Sequence, residues 1–504
     1  MSSAAGYFVL SEHLPALIVV TPMIGSTLVA ILPHSRLAWG LSLVIAWLLP
    51  VFSAMLLIKV LDGSTVSYAL GGWPPPFGIE YRVDIINALT LLLISSIGAI
   101  VMPYALRSVE HDIEDRNQPW FYAVYLLCLC GLLGMTVTGD AFNIFVFMEI
   151  SSLATYILIA MGRRREALLS AYQYLIMGTI GATFYVLGVG LLYIVTGSLN
   201  LADIADRIGP AMAEYSRPTM AALAFILVGI SLKLALFPLH AWLPNAYAFA
   251  PSFATIFLAA TATKVAVYIL LRLYFSVFGA AISLSQLPVT EVLLALSLAA
   301  MFIASLLAIY EDRIQKMLAY SSVAQIGYIT LGIAIANDAG LTGSIVHLVN
   351  HGIMKAALFA AIGAVAFRIG TDKLSELGGL GTRMPVTMAA FVIGGLSIIG
   401  VPGTVGFVSK WYLGVGAVNE GWWQIAVAMM ISSLIAVIYI GRVIEVAYFK
   451  PVSERCGEAK EPPLSMLLPI IVLAAATVYF GLETSWTGDV AGKAAEQLLG
   501  GLQK

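Results

Sequence analysis

The sequence predicts an all-α polytopic membrane protein, and three observations support that fold class. First, 60% of its 504 residues are hydrophobic and only 11% are charged, whereas soluble chains average roughly 25% charged residues. Second, the mean hydropathy is +0.94, and the apolar residues come in long runs separated by short polar loops. Third, two of these runs are interrupted by proline and glycine, which a continuous helix does not tolerate.

The apolar runs are the predicted transmembrane helices. About twenty residues of helix cross a bilayer, and fourteen runs reach or approach that length. The predicted helices span residues 14–33, 37–60, 84–106, 119–138, 141–162, 167–196, 219–240, 252–278, 290–310, 314–336, 341–368, 385–416, 422–450 and 464–482.

Basic residues in the loops predict the orientation. Lysine and arginine concentrate in cytoplasmic loops, and one set of alternate loops holds fourteen of them against six on the other side. We therefore expect a multi-pass protein of the cell membrane with both termini outside the cytoplasm. The fourteen are Arg36, Arg107, Arg116, Arg163, Arg164, Arg165, Arg313, Lys316, Arg368, Lys373, Arg383, Lys450, Arg455 and Lys460, and the six are Lys59, Arg82, Arg207, Arg217, Lys493 and Lys504.

Several classes of protein are disfavoured by what the sequence contains. Cys128, Cys130 and Cys456 have no spacing typical of disulfide frameworks, zinc sites or iron–sulfur clusters, so we predict no metal and no cofactor. No basic patch indicates a nucleic-acid partner. The first residues, MSSAAGYFVLSEHLPAL, lack the basic region and cleavage site of a signal peptide, so we expect them to be retained.

The two interrupted helices predict an internal repeat. One break lies within 219–252 and contains Pro238, and the other lies within 397–414 and contains Pro402. The breaks are five helices apart, and interrupted helices at corresponding positions are typical of inverted-repeat transporters. We expect a first repeat of helices 4–8 and a second of helices 9–13, each inverted relative to the other. The predicted domains are residues 1–118, 119–280, 281–450 and 451–504.

Six basic residues fall inside predicted helices and are candidate functional groups. Placing one charge at the centre of a bilayer costs roughly 2.5–3.5 kcal/mol or more, so such residues are rarely without a role. Two arginines lie near helix ends, where they can reach the headgroups. The six are Lys233, Lys264, Arg272, Lys355, Lys410 and Arg442.

Glu149 and Lys233 form the first candidate site. Each would be costly alone in hydrocarbon, and an ion pair would favour the charged form of both. Such a pair can gate a proton if the lysine changes partner when a proton arrives. The alternative is a static ion pair that locks two helices. The position of Lys233 on the broken helix favours gating.

Lys264 and a histidine-containing helix form the second candidate site. Lys264 has no acid on its own helix, so it is a candidate for proton exchange rather than for snorkelling. His347, His351 and Lys355 recur every four residues and share one helical face, and imidazoles can pass protons in a line. A zinc site of the H-E-x-x-H type is disfavoured because the motif here is HLVNH. A static polar contact between helices is the remaining alternative.

His240 and Lys410 complete the predicted relay. His240 follows Pro238 and either connects water to Lys233 or caps the broken helix. Lys410 has no carboxylate near it in sequence, so its counter-ion must come from the fold or from a neighbouring subunit. A further helix carries a stripe of polar residues, which either holds ordered water or bonds to its own backbone. The stripe comprises Tyr320, Ser321, Ser322 and Gln325.

Four motifs resemble the proton-antiporter membrane family, which includes antiporter-like subunits of respiratory complex I and large subunits of Mrp-type cation/proton antiporters. The motifs are GDAFNIFVFMEI, KLALFPLHAWLPNAYAFAPS, DRIQKMLAYSSVAQIGY and HLVNHGIMKAALF, and the resemblance covers nearly the whole chain. GGWPPPFGIEYRVD and the chain length resemble the D-type branch of the Mrp subunits in particular. The resemblance implies fourteen helices, two half-channels, a central polar axis and work within a larger complex.

The resemblance also implies roles for individual residues. Glu149 matches the family's helix-5 glutamate, Lys233 the helix-7 lysine and Lys264 the helix-8 lysine. His347 with Lys355 matches the central axis. Lys410 takes the helix-12 position, where some branches have glutamate. The chain departs from the pattern at Asn245 and Tyr247, where relatives often have an acid and a histidine.

Together these features predict the proton-translocating subunit of a sodium or potassium/proton antiporter rather than an enzyme. The predicted path runs from His240 through Glu149, Lys233 and Lys264 to the axis helix and Lys410. One alternative is the proton-pumping arm of an NADH–quinone oxidoreductase or a membrane-bound hydrogenase. Two others are a metalloenzyme using His240, His347 and His351, and a purely structural subunit. Partner chains and bound metal would discriminate among them.

Overall fold

The computed structural model describes residues 10–279 and 289–500. The predicted boundary between the two repeats, at residues 280 and 281, lies outside the described residues. The same holds for Lys504 and for the first nine residues, which belong to the predicted flanking domains.

Long helices dominate the described part of the chain, as the composition predicts. They are α1 (Leu14–Ala30), α2 (Ser35–Val60), α3 (Ile85–Asp112), α4 (Gln118–Val137), α5 (Ala141–Ala160), α6 (Arg165–Thr196), α7 (Leu201–Glu214), α8 (Ser216–Leu234), α9 (Leu243–Phe249), α10 (Ser252–Leu271), α11 (Val289–Tyr310), α12 (Ile314–Ile335), α13 (Asp338–Ile369), α14 (Pro385–Ile399), α15 (Val405–Asn419), α16 (Trp423–Phe449), α17 (Leu464–Leu482) and α18 (Ser485–Leu499).

Within residues 10–279 and 289–500, twelve of these helices are long and apolar enough to span a membrane. The shorter apolar helix α1 and the broken pair α14–α15 account for the other two predicted crossings. The all-α polytopic fold class is therefore confirmed. The inverted symmetry of the two five-helix repeats stays a prediction.

Polar caps begin several helices on one side of the molecule. Asp84, Asp140, Asn200 and Asn337 each accept a backbone N–H from the first turn of the helix that follows. These bonds satisfy donors that a helix start leaves free. Because no water competes at the edge of the hydrocarbon, such caps define where each helix can leave the membrane.

A small β-hairpin lies on the same side as the caps of α3, α5 and α7. Strands β1 (Val66–Ala69) and β2 (Glu80–Val83) pair antiparallel with Val66 opposite Val83. Glu80 fixes the hairpin to the helices because its carboxylate accepts from Ser67 at 2.5 Å and from Asn200 at 2.9 Å. We call this side the hairpin face and the opposite side, which carries Arg163 and Arg313, the arginine face.

The sequence analysis missed three elements: the hairpin and the amphipathic helices α7 and α18. Each is too short or too polar to register as a membrane span. Helix α7 carries Asp203 and Arg207 on its exposed side, joined at 2.9 Å, and buries Ile204 and Ile208. Such a helix lies along a surface rather than across a bilayer.

Both predicted helix breaks are present. Helix α8 ends at Leu234, where Ala235 takes a left-handed conformation with φ 58°, and the chain resumes as α9 at Leu243. Helix α14 ends at Ile399, where Gly400 has φ 91°, and α15 begins at Val405. These breaks place irregular backbone beside Lys233 and Lys410.

The long helix α13 lies at the centre of the bundle. It packs against α10, α12, α14, α15, α17 and α18. Its polar residues His347, His351 and Lys355 are all fully buried. The fold therefore positions the predicted axis between the helices that carry Lys264 and Lys410.

Candidate functional site

Lys233 is held by a serine rather than by the predicted glutamate. Its Nζ donates to Ser152 Oγ at 2.5 Å, and the lysine is 9% exposed. Glu149 acts on Lys233 electrostatically, but the two side chains form no ion pair within 4.0 Å. One Glu149 carboxylate oxygen is buried without a hydrogen-bond partner. The expected direct ion pair is therefore wrong, because Ser152 lies one turn further along the same face of α5 and takes the ammonium.

A small cavity adjoins the Lys233 ammonium. Its volume is about 30 Å³, and its polar lining includes Ser151, Ser152, Thr155 and Tyr174. One water molecule needs roughly 10–15 Å³ and two to four polar partners. The cavity therefore fits water beside Lys233, which is what a lysine needs in order to exchange a proton or a partner.

Lys264 lies on the far side of α10 from this cavity. Ala262 and Ala266 line the cavity, and a residue midway between two such positions projects roughly 160–200° away around a helix. Lys264 is 1% exposed, and its Nζ donates to the Ala259 carbonyl at 2.5 Å and to Thr263 Oγ1 at 3.4 Å. A transfer from Lys233 to Lys264 must therefore pass around α10.

The buried face of α13 continues the row from Lys264. Lys264 acts electrostatically on His347, His351 and Lys355. The two imidazole rings are parallel, with centroids 6.0 Å apart and an interplanar angle of 6°. His347 Nδ1 lies 2.7 Å from Ser409 Oγ on α15. The structure thus brings these groups together along one continuous polar face.

Three ring nitrogens on this face have no hydrogen-bond partner from the protein: His347 Nε2 and both nitrogens of His351. Buried polar atoms cost free energy unless they are hydrogen-bonded. We therefore expect water to reach this face of α13. The parallel rings do not converge on a common point, and among the described residues no group of three or more His, Cys, Asp or Glu side chains is placed to hold a metal ion.

Lys355 ends the row on α13 towards the arginine face. Its Nζ donates to the Leu318 carbonyl at 2.8 Å and to Ser321 Oγ. Ser321 and Ser322 also donate to the Leu318 carbonyl, at 2.9 and 3.1 Å. Within the polar stripe on α12, Ser321 and Ser322 therefore bond their own backbone and Ser321 also accepts from Lys355, whereas Gln325 Oε1 is buried without a partner from the protein.

His240 contacts two aromatic rings, one from the segment after α8 and one from α12. Its ring stacks on Phe237 with centroids 5.2 Å apart and meets the edge of Tyr320 at 6.3 Å. Tyr320 precedes Ser321, which accepts from Lys355. The link from His240 through water to Lys233 stays a prediction, and the ring contact with Tyr320 places His240 beside α12.

Lys410 is bound by the break that precedes it. Its Nζ donates to the carbonyls of Ile398 and Ile399 at 2.8 and 3.0 Å and to Ser433 Oγ at 2.8 Å. The ammonium also lies 4.6 Å from the ring centroid of Tyr328, whose ring is 5.8 Å from that of His347. Tyr328 therefore stands between Lys410 and the α13 row.

Lys410 also borders a groove of about 800 Å³ between α15 and α16, lined mainly by apolar side chains such as Trp411, Val415 and Met430. In the part of the chain that the structure describes, none of the four lysines Lys233, Lys264, Lys355 and Lys410 has a carboxylate within 4.0 Å. The fold does not supply the counter-ion that the sequence analysis expected for Lys410.

Arg272 corrects a further expectation. Instead of reaching for lipid headgroups, it forms an ion pair with Asp84 at 2.8 Å and donates to Asn87 Oδ1 at 2.6 Å. Neither this ion pair nor Ser152, Ser409 or Ser433 was found from the sequence. Serines are common in membrane helices, and only the fold shows which of them face a lysine.

Comparison with known proteins places this site in context. Residues 138–436 match the protein family described as NADH:quinone oxidoreductase/Mrp antiporter, TM. The N-type subunit of the NADH-quinone oxidoreductase of Desulforudis audaxviator is 41% identical over 94% of this chain and 96% of its own length. The D-type subunit of the Na(+)/H(+) antiporter of Bacillus subtilis is 30% identical over 89% of each chain. A chain of the Mrp complex from Dietzia sp. superposes with a TM-score of 0.88 at 26% identity and 98% coverage of both chains.

Proposed function

The chain belongs to the NADH:quinone oxidoreductase/Mrp antiporter transmembrane family, and we propose that it is the proton-translocating subunit of a multisubunit sodium or potassium/proton antiporter. Relatives named as D-type subunits of Na(+)/H(+) antiporters and the similar chain of an Mrp complex support this function. The chain is then a transporter component, not a catalytic enzyme.

One observation carries the proposal: a row of buried lysines and histidines in which, among the described residues, no lysine has a carboxylate within 4.0 Å. Three of the lysines are between 0% and 9% exposed, and two histidines lie among them. A static scaffold has no need for such costly groups in hydrocarbon. A row of groups that each bind and release a proton accounts for all of them.

We propose that protons pass through Glu149, Lys233 and Lys264, along His347, His351 and Lys355, to Lys410. The proton state of each lysine alters the proton affinity of the next through its charge, as coupled sites do. Water in the cavity exchanges the proton with Lys233, and the transfer to Lys264 then passes around α10. His240 and Tyr320 connect the Lys355 end of the row to the arginine face.

Assembly, orientation and domains follow from the same proposal. The chain works with other membrane subunits, and the half-buried Lys410 at the α15–α16 groove is consistent with a counter-charge from a neighbouring subunit. Both termini face outward, as the loop arginines favour. Residues 119–280 and 281–450 are the two inverted repeats, flanked by 1–118 and 451–504.

The test is cation/proton exchange in everted membrane vesicles that contain the complete assembly. Lys233→Ala should abolish sodium- or potassium-dependent proton movement at a normal protein level, because the cavity loses its proton-binding group. Lys316→Ala is the matched control, since Lys316 pairs with Glu311 at 2.9 Å outside the row, and it should leave exchange unchanged. Full exchange in Lys233→Ala would overturn the proposed path.

A second candidate function is the proton-pumping arm of an NADH–quinone oxidoreductase, favoured by the 41% identical relative named as an N-type subunit of that enzyme. Tagged chain purified from native membranes in mild detergent separates the two. Small hydrophobic partners without redox proteins identify the antiporter. Partners carrying iron–sulfur clusters or flavin identify the oxidoreductase.

A further inference from the structure

A polar cavity opens on the hairpin face beside the predicted first repeat. Its volume is about 280 Å³, and it lies among α3, α7 and α10. The exposed residues Thr65, Arg82 and Asp206 line its mouth, and Asn87 and Tyr268 line its floor. We call this cavity the vestibule. The proton row described above does not use it.

The ion pair between Arg272 and Asp84 closes the floor of the vestibule. The two side chains are 13% and 8% exposed, and their closest atoms are 2.8 Å apart. Arg272 also donates to Asn87 Oδ1 at 2.6 Å and to Ser276 Oγ at 3.2 Å. Arg272 begins a π-helical turn, Arg272–Val277, which follows α10 directly. π-helical turns inside helices occur frequently at functional sites.

The same face of α10 connects this ion pair to the proton row. Lys264, Tyr268 and Arg272 recur every four residues, so they lie one above another. The Tyr268 hydroxyl accepts from Asn87 Nδ2 at 2.6 Å. Arg272 lies about 12 Å along the helix from Lys264, at 1.5 Å per residue. Tyr268 is the polar side chain between them on this face, beside the apolar Val267 and Leu271.

We propose that Arg272 is a gate on a second outlet, which leads from Lys264 through Tyr268 to the hairpin face within the first repeat. This inference rests on the proposed function, because it requires Lys264 to carry a proton. With the ion pair closed, the guanidinium lies 5.7 Å from the Tyr268 ring centroid, so its fixed charge bars protons at the vestibule floor, where Tyr268 is only 1% exposed. With the guanidinium displaced from Asn87, the Tyr268 hydroxyl and water connect Lys264 to the outside.

The choice of arginine fits a barrier to protons. A guanidinium keeps its positive charge under all physiological conditions, and a fixed positive charge in a narrow polar passage repels protons and cations. A lysine at the same position would itself exchange protons and leak. Asp84 holds the Arg272 side chain in place, and Asp84 is itself held because its side chain caps the start of α3.

Passive proton conductance of membrane vesicles containing the complete assembly tests the gate. Asp84→Asn/Arg272→Gln removes both charges and leaves no unpaired ion, and it should raise conductance severalfold. Adding Lys264→Ala should return conductance to the level of Lys264→Ala alone. Asp84→Asn alone should raise conductance less than the double variant, because the guanidinium keeps its charge and its hydrogen bond to Asn87. Asp203→Asn/Arg207→Gln, an exposed ion pair on the same face joined at 2.9 Å, is the matched control and should leave conductance unchanged.

Thiol labelling supplies a readout that does not depend on transport. Tyr268→Cys should react severalfold faster with a membrane-impermeant reagent when Arg272→Gln is present, and only from the hairpin face. The native cysteines Cys128, Cys130 and Cys456 are buried and give little background.

Three outcomes would overturn the gate. The first is unchanged conductance in Asp84→Asn/Arg272→Gln. The second is a leak in that double variant that remains after Lys264→Ala is added. The third is a labelling rate of Tyr268→Cys that is the same with and without Arg272→Gln. A different result would contradict the proposed function itself: cation/proton exchange would stay intact in Lys264→Ala.

Discussion

At the break between α8 and α9, an indole binds a backbone carbonyl that the interrupted helix leaves without a strong hydrogen bond, whereas between α14 and α15 the ammonium of Lys410, a residue of the proposed proton path, does so. Trp242 Nε1 donates to the Leu232 carbonyl at 2.9 Å, and the neighbouring Lys233 turns instead to Ser152. At the second break, Pro402 offers no N–H to the carbonyl of Ile398 four residues earlier. Lys410 binds that carbonyl and the next.

At the first break, Trp242 completes the backbone hydrogen bonding and the lysine of the proposed path binds elsewhere. At the second break, Lys410 has both roles. Lys233 can leave Ser152 while the Trp242 bond and the break remain as they are. Lys410 cannot change partner without freeing two carbonyls in a membrane, where unsatisfied backbone groups are costly. Movement of Lys410 therefore breaks bonds that complete its helix break, whereas movement of Lys233 breaks only its bond to Ser152.

Lys410→Ala should give the largest effect on stability. Two carbonyls lose their donor, so the free energy of unfolding should fall by about 2–4 kcal/mol. Thermal unfolding of the purified assembly in detergent measures this. Lys410→Arg is the control: it keeps the donors and most of the stability, but exchange stays lost because a guanidinium does not release its proton. An alanine variant as stable as the wild type would show that the two breaks are alike.

Trp242→Phe should give an intermediate effect. The Leu232 carbonyl keeps only a long bond from Ala235 at 3.3 Å, so unfolding should become easier by about 1–2 kcal/mol. Phenylalanine preserves stacking on Tyr174, whose ring centroid is 3.9 Å away. Exchange should also slow, because Lys233 sits next to the loosened carbonyl.

Trp39→Phe provides the comparison for that variant. Trp39 Nε1 donates to the Met102 carbonyl at 3.1 Å, within an unbroken helix. Its loss should lower stability by a similar amount and leave exchange at the wild-type rate. Equal loss of exchange in both tryptophan variants would remove any special role for the first break.

Ser152→Ala should give the smallest effect on stability, about 1 kcal/mol or less, together with a severalfold loss of exchange. Lys233 loses its acceptor but keeps the cavity. Ser170→Ala is the matched control, since Ser170 is a buried serine outside the cavity whose hydroxyl donates to the Glu166 carbonyl of its own helix at 2.8 Å. Wild-type exchange in Ser152→Ala would show that this bond has no part in transport.

The sequence predicted the membrane crossings and both breaks because each depends on local chemistry. A run of apolar residues has to span the bilayer, and Pro238 and Pro402 have to interrupt their helices. It also predicted that His347, His351 and Lys355 share a face, since four-residue spacing determines that within one helix. The prediction could not extend to contacts between helices.

The sequence could not predict which charged groups pair, because the pairs form between different helices. Glu149 and Lys233 lie on different helices, and the structure alone shows that Ser152 takes the ammonium. His240 depends on the direction in which the chain leaves α8. Arg272 lies near a helix end, where reaching lipid is the default expectation, yet Asp84 is brought within 2.8 Å by the packing of α3 on α10.

The unbroken axis helix has a consequence for the timescale of transport. Helix α13 runs for 32 residues, from a cap at Asn337 to a left-handed Gly370, with no proline inside it. Buried helices open rarely, and backbone amides within them exchange with deuterium slowly. The amides of α13 should therefore stay protected through many transport cycles, while those beside Ala235 and Gly400 exchange early. We therefore expect any backbone movement during transport to occur at the two interruptions rather than within α13.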